Sequence, residues 1–66
     1  MASKTYGFIV EGNGELGGTF LLVKGGNKAS AIECLKAQCL EDGDSDITEF
    51  TAYPLTKSEY YNQLAN

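Results

Sequence analysis

Apolar and polar residues alternate along the first third of the chain, and the period then changes. Over residues 4–11, Tyr6, Phe8 and Val10 fall on one side of an extended chain and Thr5, Gly7 and Ile9 on the other, which predicts a strand. A second run, from about residue 18 to 24, opposes Phe20 and Leu22 to Leu21 and Val23. The segment between them, Gly12-Asn13-Gly14-Glu15-Leu16-Gly17-Gly18, is polar and rich in glycine, so the two runs form a β-hairpin. Two registers fit. A two-residue turn at Asn13-Gly14 sets Tyr6 opposite Leu21. A longer loop over residues 12–18 sets Phe8 opposite Leu22 and Val10 opposite Phe20. The longer loop is preferred, because it pairs large apolar residues and keeps the glycines outside the ladder.

From residue 28 to 41 the period becomes helical, with Ala31, Ile32, Leu35 and Cys39 within one arc. Asn27 is an N-cap candidate, and Ser30-Ala31-Ile32-Glu33 offers an alternative start three residues later. Gly43 supplies the left-handed position that ends the helix. Residues 47–53 (Ile-Thr-Glu-Phe-Thr-Ala-Tyr) read as a third strand closed by Pro54. Thr56-Lys57-Ser58-Glu59 is a capping box, with Leu55 set to staple onto Tyr60. A short helix from Lys57 to about Ala65 follows, with Tyr60, Tyr61 and Leu64 on its apolar side.

The expected fold class is therefore α+β, in the order β-β-α-β-α. A right-handed crossover returns the third strand beside the first, giving a three-stranded antiparallel sheet of spatial order 2-1-3. The main helix covers one face, and the short C-terminal helix follows. The 66 residues make one small domain, frayed over residues 1–3.

Composition narrows the function. Five lysines face nine carboxylates for a net charge of −4, with no arginine, histidine or tryptophan. Nucleic-acid binders neutralise phosphate with clustered Lys and Arg, so no nucleic-acid partner is expected, nor an anionic membrane surface. No run of about 18 apolar residues exists, and the first residues lack the pattern of a signal peptide, so a soluble cytoplasmic protein is expected. Cys34 and Cys39 stand roughly 140° apart around a helix and cannot bridge within it, which fits free thiols in a reducing compartment.

Three motifs invite chemistry. Gly12-x-Gly14-x-x-Gly17 follows a strand, as a dinucleotide fingerprint does, but a strand rather than a helix comes next, so no helix N-terminus is there to hold a pyrophosphate. Asp42-Gly43-Asp44-Ser45-Asp46 has the alternating carboxylates of a calcium loop, but Ile47 stands where that loop needs glycine and Tyr53 where it needs glutamate. The cysteines lack a histidine to form a nucleophile pair or complete a zinc tetrahedron. No catalytic residue, metal site or cofactor is expected, and no enzyme.

The informative feature is apolar surface on both sides of the sheet. One helix covers one face only. In the preferred register Ile9, Leu21, Val23 and Tyr53 stay opposite it; in the other, Phe20 and Leu22 do. Unless Tyr60, Tyr61 and Leu64 of the terminal helix fold under, that surface faces water and marks an interaction site. An acidic chain of under 80 residues with β-β-α-β order and no catalytic kit resembles small phage-encoded inhibitors of host enzymes, in architecture and size. The leading expectation is a protein-binding module, an inhibitor or adaptor, which presents this face with Tyr60 and Tyr61. Its acidic rim of Glu41, Asp42, Asp44, Asp46 and Glu49 suits a basic partner. The alternative is a homo-oligomer that binds or sequesters a small ligand at a subunit interface, with Gly12, Asn13, Gly14 and Gly17 as the ligand loop.

Overall fold

The computed structural model describes residues 4–65; the expectation of a frayed start at residues 1–3 lies outside them. The elements are β1 (Gly7–Gly14), β2 (Gly17–Lys24), α1 (Lys28–Asp42), β3 (Ile47–Leu55) and α2 (Lys57–Ala65). The strands form an antiparallel sheet of order β2-β1-β3, the expected α+β architecture with β1 in the centre.

Local chemistry accounts for both helix starts. The Asn27 side chain accepts the Ser30 N–H at 2.9 Å, and the Ser30 hydroxyl accepts the Asn27 N–H at 3.0 Å, so α1 begins at the earlier of the two candidate positions. Gly43 ends α1 in the left-handed conformation, at φ 76°. At α2, Glu59 accepts the Thr56 N–H at 2.8 Å and Thr56 accepts the Glu59 N–H at 3.3 Å, a reciprocal pair that satisfies two amides with no helical partner.

α1 lies across one face of the sheet. Its Ala31, Leu35 and Cys39 are buried with Phe8, Val10 and Ala52, while Leu21, Val23, Ile32, Ile47 and Phe50 pack around this core partly buried. Gly12 makes the approach of α1 possible: a Cβ there would stand 2.7 Å from Ile47 Cγ2 and 3.3 Å from Leu35 Cδ2. A Cβ on Gly14 would collide with the Asp46 carbonyl.

These two glycines correct the hairpin. The turn is Glu15-Leu16, and Gly12, Asn13, Gly14 and Gly17 all lie inside the ladder rather than in a loop. Phe8 pairs with Val23, Ile9 with Leu22 and Val10 with Leu21, which is neither expected register. Against the preferred register the pairing is displaced by one residue, and such a slip exchanges the faces of a strand. Leu21 and Val23 therefore face α1, and Phe20 and Leu22 take the opposite side. β1 begins at Gly7 rather than at residue 4, and β3 continues through Pro54 to Leu55. A proline is tolerated there because β3 is an outer strand.

Candidate functional site

The face opposite α1 is built from alternate residues of all three strands. Leu22, Ile9 and Tyr53 form one cross-strand row, and Phe20, Glu11 and Thr51 form the next. Phe20 is 62% exposed and Tyr53 48%, while Ile9 and Leu22 are half-buried. Of the site residues expected from the sequence, Ile9 and Tyr53 are here and Leu21 and Val23 are not. Phe20 and Leu22 take their place, as they would in the register that was not preferred.

α2 covers one end of this face. The ring of Tyr60 occupies the space above Gly7, where a Cβ would stand 2.9 Å from Tyr60 Cδ2. Leu55, paired with Gly7, is buried at this end. Tyr6, Tyr60 and Tyr61 pack edge to face or tilted, with ring centroids 5.3 to 5.7 Å apart. The Tyr6 and Tyr61 hydroxyls lie 2.9 Å apart, and the Lys24 ammonium stands 5.5 Å from the Tyr6 ring centroid. The hydrogen bond with Tyr61 holds the Tyr6 hydroxyl below its usual pKa, with help from Lys24, and the same bond raises that of Tyr61. Interaction with Tyr6 likewise raises Lys24. No spacing rule links residues so far apart as Tyr6, Lys24 and Tyr61, so the sequence offered no sign of this cluster. It borders the apolar strip with polar tips at the end that α2 closes.

The acidic rim lies elsewhere, around the C-terminus of α1. Asp42 is exposed and accepts from Gln38 Nε2 at 3.3 Å. Asp46 reaches the hairpin tip and accepts the Leu16 N–H at 3.3 Å. Asp44 and Asp46, with Gly17, Gly18, Thr19 and Ile47, line a hollow of about 170 Å³. The rim and the glycine stretch are thus neighbours, and two carboxylates beside the Gly17 and Gly18 amides repel the anion that bare amides would otherwise suit. The hollow is also below the size of small-molecule pockets, which start at about 300 Å³.

A larger groove of about 450 Å³ opens between α1 and β3, with Lys36, Cys39, Leu40, Ile47 and Phe50 in its lining. The Lys36 ammonium stands 5.6 Å from the Phe50 ring centroid at its edge. Cys39 is buried and Cys34 exposed, both as free thiols. Burial first, and then the Asp44, Asp42 and Asp46 charges, raise the Cys39 thiol above its ordinary pKa, which suits a packing role rather than a nucleophile. Among the described residues no group of three or more His, Cys, Asp or Glu could hold a metal ion, and no helix is long and apolar enough to cross a membrane.

Comparison with protein-family models, with curated proteins and with solved structures finds no match to this chain.

Proposed function

We propose that the protein is a small acidic protein-binding module, an inhibitor or adaptor, which docks through the sheet face opposite α1. The observation that carries this reading is that α2 stops at the Gly7–Leu55 end and leaves Phe20, Leu22, Ile9 and Tyr53 in a continuous apolar strip. Contiguous exposed apolar surface is kept small on proteins with no partner, and aromatic residues dominate the centres of interfaces. Tyr6, Tyr60 and Tyr61 extend the strip with phenol groups that hydrogen-bond at its rim. Asp42, Asp44, Asp46, Glu41 and Glu49 give the molecule a negative field that steers a basic partner toward it.

The test is capture of one specific protein by immobilised wild type, compared with two variants. Phe20→Ser with Tyr53→Ser should abolish capture while the fold, read by circular dichroism, is kept. Lysine at positions 42, 44 and 46 should slow association and reduce its dependence on salt. Undiminished capture by the Phe20 and Tyr53 double variant would remove the strip from the reading.

A further inference from the structure

The two outer strands of the sheet are unlike each other. β3 carries Glu49 and Pro54, two devices that discourage a further strand from adding to an edge. β2 has neither. Thr19-Phe20-Leu21-Leu22-Val23 is an uninterrupted β-forming run with no charge and no proline, the pattern of a strand covered on both faces. It is covered only in part, and on one face. Leu21 and Val23 are half-buried on the α1 side, and Phe20 and Leu22 lie on the open side. The backbone is unsatisfied as well. The Gly25 N–H donates to the Tyr6 carbonyl at 2.8 Å. By the antiparallel alternation, Val23, Leu21 and Thr19 then bond to β1, while Gly18, Phe20, Leu22 and Lys24 turn their N–H and C=O groups outward.

We propose that β2 pairs with β2 of a second copy of this chain, antiparallel about Leu21, to make one continuous sheet from two. The pairing is two-fold and self-complementary. Leu21 opposes Leu21, Phe20 opposes Leu22 in both directions, and Val23 opposes Thr19, so every side chain stays on its own face. Shifting by two residues one way sets Leu22 against Gly18 and leaves Phe20 against Phe20 as the one apolar pair; shifting the other way keeps Leu21 against Val23 and Leu22 against Leu22 but sets the Lys24 of each copy against the Phe20 of the other. Charge selects this edge too. The chain carries −4 overall, yet β2 holds no carboxylate, and Lys24, its one charge, falls opposite Gly18 of the second copy. Two acidic molecules meet here with no like charges across the seam. The inference stands on the backbone edge, separately from the docking face, which the pairing would double in width.

Light scattering from low micromolar to near-millimolar protein tests it, with the mass expected to rise toward twice that of the chain. Leu22→Pro removes an outward N–H that β1 does not use, so the variant should keep its circular dichroism and stay at single-chain mass. If it fails to fold, Phe20→Lys is the second probe and should also hold the mass at one chain. Leu21→Cys in a Cys34→Ser background should oxidise to a symmetric disulfide dimer, because opposed residues of this kind have Cα atoms about 4.5 Å apart. Tyr53→Ser should leave the dimer mass unchanged, which separates this seam from capture of a foreign protein. A single-chain mass at every concentration would overturn the proposal, as would a dimer that survives Leu22→Pro or Phe20→Lys with the fold intact. A dimer that forms no Leu21→Cys cross-link would overturn the pairing about Leu21.

Discussion

The two faces of one small sheet have been finished differently. On the α1 side, Val10 is fully buried and Leu35 is 1% exposed, and a glycine at position 12 lets helix and strand close to contact. On the other side the same three strands present side chains of comparable size, and α2 reaches only the end beside Gly7, with none of its own residues buried. The difference teaches where stability and recognition are separated in a chain too short to have a large core. One face carries the packing that holds the fold. The other keeps apolar side chains in water, a feature that folding does not require and that the proposed docking would use.

The largest test of this division is Leu35→Ala, which truncates the largest fully buried side chain of α1. It should cost about 3 kcal/mol by denaturant titration, within the usual range for a buried leucine. Gly12→Ala should cost about 1–3 kcal/mol, because the added methyl overpacks Ile47 and Leu35, and a loss of partner binding without loss of stability would contradict the close approach drawn here. Phe20→Ser on the open face should change stability by no more than about 0.5 kcal/mol in a dilute sample, an amount ordinary for exposed positions. A loss as large as that of Leu35→Ala would mean that the open face is part of the core.

The smallest expected effect is one of titration at the α2 end. Tyr6 and Tyr61 share a hydrogen bond, so tyrosinate absorbance should show their two protons leaving in separate steps, one below and one above the ordinary tyrosine pKa of about 10. The signs oppose. Tyr6, lowered, favours the folded state above the unfolded-state pKa, and that contribution fades as pH falls through its folded value. Tyr61, raised, favours the folded state below the unfolded-state pKa, and that contribution is lost as pH rises through its folded value. Tyr61→Phe should move the lower step up toward the ordinary tyrosine value, since the largest cause of its lowering is removed.

The order of elements and the start of α2 were legible in the sequence, because each rests on neighbours within a few residues; the start of α1 was narrowed to two positions, and the sheet order followed from the handedness of the crossover. Asn27 meets Ser30, Thr56 meets Glu59, and Ala31, Leu35 and Cys39 repeat every four positions. The register of the hairpin was not legible. Gly12 and Gly14 look like loop residues, yet they are glycines because Leu35, Ile47 and the Asp46 carbonyl, all more than twenty positions away, come too close for a Cβ. Misplacing them by one residue moved Leu21 and Val23 to the wrong side and hid Phe20 and Leu22. The tyrosine cluster joins Tyr6 to Tyr60 and Tyr61 through long-range packing and one hydrogen bond, beyond the reach of any local pattern.

α2 also has a consequence in time. Held by the Tyr60 ring over Gly7, by the Tyr6–Tyr61 hydrogen bond and by a capping box, with no residue of its own in the core, it should open more readily than α1. Its amides should exchange with solvent deuterium well ahead of those of α1. Each opening would uncover the Gly7–Leu55 row and lengthen the apolar strip of the proposed docking face.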